Sequence, residues 1–158
     1  MAMRDKFYSL DQAKKVLEHY CVYQERCHQE VERKLYSLRV IALVKEEVIL
    51  HLLKHDFLNE ERFSKAYARG KFVIKKWGHH RIVRELKSRD ISAYNIKSAL
   101  KEIDAIEYVK TFDDLANKKF LQLQEPNSFK KRKKLADYLL YRGWESDLVY
   151  QKVKELMP

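Results

Sequence analysis

FLNEERFSKAYARGKFVIKKWGHHRIVRELKSRDI, from Phe57 to Ile91, is the stretch whose reading decides the fold. Asn59 offers a side-chain oxygen to the free amides of a helix beginning at Glu60, and Glu60 and Glu61 bring negative charge to its positive end. Phe63, Ala66, Tyr67, Gly70 and Ile74 then recur at three- and four-residue steps, which predicts one helix face held against a core. Gly78 allows a corner after Trp77, and Ile82 and Leu86 begin the apolar stripe of a second helix. Between them stand His79, His80, Arg81, Arg84 and Lys87, so the solvent side of that helix is strongly positive.

The same pattern extends in both directions. Towards the amino terminus, Ser9 with Gln12 three positions later forms an S-x-x-Q capping box. The helix it opens turns Ala13, Val16, Leu17 and Tyr20 inward; helices over about 24–38 and 43–55 follow. Beyond the central stretch, helices are expected over 92–103, 105–121, 129–141 and 145–156. Val31, Leu35, Val48 and Leu52 correspond to Ile82, Leu86, Ile96 and Leu100, and again to Leu135, Leu139, Val149 and Val153. The offset from first to second copy is 51 before the turn and 48 after it; from second to third it is 53 in both places. An all-α chain of three tandem three-helix repeats follows, over 1–57, 58–104 and 105–158. Each short helix is marginal alone and depends on its neighbours. A tandem array keeps an extended outer surface, suited to touching a long polymer at several points.

Composition agrees with helices: three glycines and two prolines in 158 residues leave little punctuation for a multi-stranded fold. With 46% hydrophobic and 35% charged residues the chain is not of disordered composition, and no run of 18 apolar residues is available to cross a membrane. The start, MAMRDKFYSLDQAKK, lacks the apolar segment of a secretory signal, so a cytoplasmic protein is expected, and separately a monomer. The net charge of +10 is uneven: residues 1–57 hold ten Lys or Arg against nine Asp or Glu, a balance of +1, and residues 58–158 hold 23 against 14, a balance of +9. Such an excess points to a polyanionic partner on the later two thirds, against the plainer reading of a solvated basic surface.

Two tracts concentrate that charge. The first carries Lys75, Lys76, Arg81, Arg84, Lys87 and Arg89 against Glu85 alone. The second, FKKRKKLADYLLYRGW, carries Lys130, Lys131, Arg132, Lys133 and Lys134, with Arg142 near its end; Phe129, Leu135, Leu139 and Leu140 are expected to anchor the helix. Such side chains contact phosphate oxygens without reading bases, but a protein-facing role fits the same residues. Trp77 reads better as a core or hinge aromatic than as a nucleobase platform, and the ten scattered tyrosines read as packing.

Catalytic patterns are weak. Cys21 and Cys27 are too far apart for a CxxC pair and read as buried thiols; His19 and His28 read as packing or surface residues. No glycine-rich phosphate loop, serine elbow or metal-ligand spacing is present, and no cofactor is expected. Asp113-Asp114 and Glu60-Glu61 read as surface charge or helix capping, with a helical nuclease as the residual enzymatic alternative.

The order LNEERF, YARGKF, WGHHRIVRELKSRDIS resembles the central signature of the RecX family, through Leu58, Glu61, Arg62, Phe63, Ala66, Arg69, Gly78, Arg81, Ile82, Glu85, Leu86 and Ile91. KLADYLLYRGW, Lys134 to Trp144, resembles the family's carboxy-terminal signature through Tyr141, Arg142, Gly143 and the aromatic at 144. The resemblance is clearest from about Phe57 onward. It departs at Trp77-Gly78-His79-His80, where the family usually has tyrosine before the glycine and often arginine after it. The resemblance implies three three-helix units in a bent, elongated protein. It also implies a non-enzymatic regulator that binds the RecA recombinase filament and inhibits strand exchange, with single-stranded DNA a further candidate partner. An autonomous nucleic-acid-binding protein is the alternative.

Overall fold

The computed structural model describes residues 7–158; residues 1–6, part of the start read above for a signal, lie outside them. Among the described residues nine α-helices follow one another: α1 Leu10–Tyr23, α2 His28–Ser37, α3 Ala42–Lys54, α4 Glu60–Lys75, α5 His79–Ser88, α6 Ala93–Leu100, α7 Ala105–Gln122, α8 Ser128–Tyr141 and α9 Ser146–Leu156. They form three repeated units of three helices. The predicted capping box closes α1: Gln12 N–H donates to Ser9 Oγ at 3.2 Å and Ser9 N–H to Gln12 Oε1 at 3.0 Å. The side chains of Asn59, Ser92, Asp104 and Asn127 cap α4, α6, α7 and α8 by accepting from backbone N–H groups of the first turn.

The repeat is written in the backbone as well as in the core. Val31, Ile82 and Leu135 are wholly buried, as are Leu35, Leu86 and Leu139. Just past the second helix of each unit the chain turns through a left-handed residue: Arg39 (φ 55°), Asp90 (φ 56°) and Gly143 (φ 90°). Those positions are separated by the offsets 51 and 53 found in the sequence.

Two cores result. One gathers Ala13, Leu17, Val31, Leu35, Val48 and Leu52, with Leu58 from the start of the next segment. The other runs unbroken through the second and third units, from Phe63 and Phe72 through Trp77 and Phe112 to Trp144 and Val153, and takes in Cys27. The accessible area is 10816 Å², against about 8400 Å² for a compact protein of 19.1 kDa. The chain exposes more surface than a globule of its mass, as a short tandem array should.

Several local expectations are corrected. α2 begins at His28, not near Gln24, because residues 24–27 form an extended corner, pinned where Arg26 Nε donates to Tyr20 O at 3.0 Å and its guanidinium lies 3.6 Å from the Tyr20 ring centre. The buried face of α4 is Phe63, Ser64, Ala68 and Phe72; Ile74 stands 75% exposed. Ser64 and Ala68 on α4 and Ala99 on α6 are small and buried, and the two helices pack closely; small residues on its buried face turn the face of α4 away from the one read from spacing alone. Phe129 is exposed rather than an anchor of α8, and of the tyrosines only Tyr108 is fully buried.

Candidate polyanion-binding surface

The two basic tracts centre on α5 and α8, the second helices of consecutive units, with Lys75 and Lys76 at the end of α4, and the end of α8 meets the start of α5. Gly78 N–H donates to Arg142 O at 2.8 Å, His80 N–H to Gly143 O at 3.0 Å, and Trp144 Nε1–H to Lys76 O at 3.1 Å. Free amides at the start of α5 thus satisfy carbonyls at the end of α8, so the positive end of one helix meets the negative end of the other. The approach is close enough to require glycine on both sides. A Cβ on Gly78 would lie 2.5 Å from Gly143 O, and one on Gly143 would collide with the backbone of Arg81. The Trp-Gly and Tyr-Arg-Gly-Trp blocks, 65 residues apart from Gly78 to Gly143, are two halves of one clasp.

A polar cluster backs the clasp. Tyr108 on α7 donates its hydroxyl to Glu145, at 2.6 Å from Oε2, and accepts from His79 N–H at 2.9 Å. Its ring stacks on His79 with centres 3.9 Å apart, and His79 Nδ1 lies 2.9 Å from Glu145 Oε1. Burial of Glu145 favours its neutral form, but the hydrogen bonds from His79 and Tyr108 outweigh burial and hold its carboxyl below the usual range. Burial first, and then the bond to Glu145, push the Tyr108 hydroxyl well above the ordinary tyrosine range. Neither Tyr108 nor Glu145 stands out in the sequence: Tyr108 lies far from either glycine corner, and only Glu145, two residues after Gly143, is near one.

The cations divide into held and free. Arg81 is half-buried, its guanidinium between Trp77 (4.2 Å to the ring centre) and Tyr141 (4.6 Å), with Nη1 donating to Tyr141 O at 3.3 Å. Trp77 is buried, and cation contacts from Arg81 and Lys71 lie on its ring, so it is no open nucleobase platform. Arg89 donates to Glu85 O and Oε2 and lies over Tyr67; Arg142 lies over Tyr138, 4.4 Å from its centre. On α8, Lys133 pairs with Asp137 at 2.9 Å, Lys134 with Glu125 at 2.7 Å, Arg132 donates to the Pro158 carbonyl, and Lys131 covers Phe120. Exposed pairs of this kind are weak and exchangeable. Lys75, Lys76, Arg84, Lys87 and Lys130 are exposed and make no ion pair among the described residues. The structure thus places Lys75, Lys76, Arg84 and Lys87 as unengaged charge around α5, and gives Arg81 and Arg142 packing work at the clasp.

The acidic pairs do local work. Glu60 accepts from His28 N–H at 3.3 Å and Asp113 pairs with Lys152 at 3.4 Å. Among the described residues no group of three or more His, Cys, Asp or Glu side chains is placed to hold a metal ion, and no helix is long and apolar enough to cross a membrane.

Two family descriptions match the chain: the second three-helix domain of RecX over residues 59–100 and the third three-helix domain of RecX over residues 106–153, together more than half of the sequence. The regulatory protein RecX of Bacillus cytotoxicus is 28% identical over 137 residues, covering 87% of this chain and 51% of that protein. That of Serratia proteamaculans is 32% identical over 101 residues, covering 64% of this chain and 58% of the relative. The chain therefore spans between half and two thirds of the length of these relatives. In fold it is similar to the crystal structure of RecX from Lactobacillus salivarius, with a TM-score of 0.77 at 24% identity, covering 93% of this chain and 96% of that one. A second crystal structure, of regulatory protein RecX, gives a TM-score of 0.81 at 20% identity over 92% of this chain and 73% of the other. With its central and carboxy-terminal units matched in order and its three-helix repeats superposing on solved members, the chain belongs to the RecX family of regulatory proteins.

Proposed function

We propose that this protein is a non-enzymatic regulator that binds the RecA–DNA filament and restrains strand exchange. The observation that carries the reading is the free charge of Lys75, Lys76, Arg84 and Lys87 on a unit locked to the next by the Gly78–Gly143 clasp. Cations on a stiff pair of units keep a constant spacing, so they engage a periodic partner without the entropy cost of ordering a flexible linker. The repeats bridge adjacent filament subunits while the basic side chains of α5 and α8 screen nearby DNA phosphates and obstruct an incoming duplex. Family membership supports the recombinase as partner; the free cations support the part played by charge.

The test is an imaged complex with a RecA filament on single-stranded DNA, alongside strand-exchange assays of an Arg84→Gln/Lys87→Gln variant. Density spanning neighbouring subunits, and weaker inhibition with a shallower salt dependence in the folded variant, are expected. Density at filament ends alone would refute the bridging. Equal affinity for naked single-stranded DNA and for filament, without contact to recombinase subunits, would establish autonomous nucleic-acid binding instead.

A further inference from the structure

The near-neutral first unit holds an open groove of about 530 Å³ between α1, the corner that follows it at Arg26, and Lys34 in the last turn of α2. Val16, Tyr20 and Tyr23 form its apolar walls, and Lys15, Arg26 and Lys34 supply positive charge. Among the described residues no carboxylate lines it, and Arg26 reaches Glu30, outside the groove, only at 4.0 Å. We propose that this groove is a docking site for an acidic peptide segment of a partner protein, one that seats an apolar side chain between flanking carboxylates.

The chain itself supplies the precedent. At the offset of 51, Lys15, Val16 and Tyr20 of α1 correspond to Ala66, Tyr67 and Lys71 of α4. That face of α4, with Arg89 beside it, lies across a narrower groove of about 330 Å³ from Gln24, Glu25 and Glu30 of the unit before. In the second unit, then, a cationic, aromatic face receives a carboxylate-bearing stretch of chain. On the first unit the equivalent face carries its own cations and is uncovered by any of the described residues. The stretch Gln24–Glu30 of another copy is a poor occupant, because Glu25 is already bonded to Arg62 at 2.6 Å.

Nucleic acid fits the groove less well. The Tyr20 ring is already covered by the Arg26 guanidinium at 3.6 Å, with Lys34 at 5.6 Å, so the face a nucleobase would stack on is taken. Residues 1–57 balance to +1, so no positive stripe leads a strand into or out of the groove. A short segment needs only the local charge that the groove has. The proposal is independent of the basic tracts on α5 and α8 and stands or falls apart from them.

The experiment is fluorescence anisotropy of the full chain with a labelled seven-residue peptide, one leucine flanked on each side by aspartates, and a twin in which asparagines replace the aspartates. The acidic peptide should bind about tenfold tighter than its twin, from two charge pairs at a partly apolar site. A Lys15→Gln/Lys34→Gln variant with unchanged helical circular dichroism should lose that difference, while Arg84→Gln/Lys87→Gln should keep it. Equal affinity for the two peptides, or no binding of either at millimolar concentration, overturns the proposal. So does oligodeoxythymidylate binding that the Lys15 and Lys34 changes abolish, which would assign the groove to nucleic acid. Sedimentation velocity showing a dimer that the same changes dissociate would assign it to a second copy.

Discussion

Replacing Gly78 by alanine tests whether the clasp between α5 and α8 holds the second and third units together. Its backbone, at φ −82° and ψ 175°, suits any residue, so the added methyl acts through space alone. The methyl carbon would meet Gly143 O at 2.5 Å, and Gly143 C and Trp144 Cα at 2.7 Å, all of them backbone atoms that a rotamer change cannot clear. Opening the contact enough to relieve the overlap costs about 1 to 3 kcal/mol in strain, and losing the bonds from Gly78 N–H and His80 N–H adds about 1 kcal/mol each, for a total of about 3 to 5 kcal/mol. The internal control is Gly70→Ala. Nothing lies within 4 Å of a methyl there, and the position is inside α4, so a gain of about 0.5 to 1 kcal/mol is expected. In urea unfolding followed by circular dichroism, with m of about 2 kcal/mol/M, the Gly78 variant should lose about 1.5 to 2.5 M in midpoint while the Gly70 variant shifts slightly upward. A Gly78→Ala protein as stable as its parent would refute the clasp as an energetic element.

Leu86 and Leu139 are wholly buried at matched repeat positions, and alanine at either should cost about 2 to 5 kcal/mol in the same assay; unchanged unfolding would deny their core roles. Because Glu145 is held below its ordinary value of 4.5, its stabilisation is complete above that pH and is lost as pH falls through the lower folded value. Glu145→Gln should therefore lower stability at neutral pH and flatten the loss below pH 4.5; a parallel acid profile in the variant would count against the cluster. Burial pushes the Cys21 thiol up to about 11, so its alkylation at pH 8 should be slower in the native protein than in urea by roughly two orders of magnitude. Equal rates, read by mass spectrometry, would show the thiol to be accessible.

What was legible in the sequence is what repeats locally. The Ser9 and Gln12 box, the Asn59 cap and the offsets of 51 and 53 each depend on neighbours a few residues away or on repetition of one pattern, and the helices follow them closely. What was not legible depends on contacts between units. The α4 stripe was misplaced because Ser64 and Ala68 matter for the closeness of α6, and periodicity weighs hydrophobicity without weighing smallness. Arg81 reads as a free cation from the sequence, but Tyr141, sixty residues on, lies against its guanidinium. Exposed Tyr23, Tyr36, Tyr94, Tyr141 and Tyr150 defeat an expectation of packing because tyrosine tolerates a wet surface, and several in this chain serve as faces for Arg and Lys.

The two joints of the array are the same joint built in different materials. At offsets of 51 and 53, Cys27 and Asp90 stand where Gly78 and Gly143 stand, as the cap of a second helix and the left-handed residue that meets it from the next unit. In both, the following unit satisfies the first amide of that helix, which has no cap of its own: Glu60 bonds His28 N–H, and Tyr108 bonds His79 N–H. In the later joint two glycines let backbone meet backbone, and Trp77 and Trp144 join the shared core. In the earlier joint the side chain of Gln29 spans the gap, to Ser88 O at 3.1 Å and Asp90 Oδ2 at 2.9 Å, while Arg62 ties Glu25 at 2.6 Å and Asp56 at 2.9 Å. The Arg62 ion pairs are partly solvated and screened by salt, whereas buried backbone bonds are not. The second and third units therefore share one core and a backbone contact that salt does not screen, while the joint to the first unit rests in part on ion pairs that weaken as ionic strength rises.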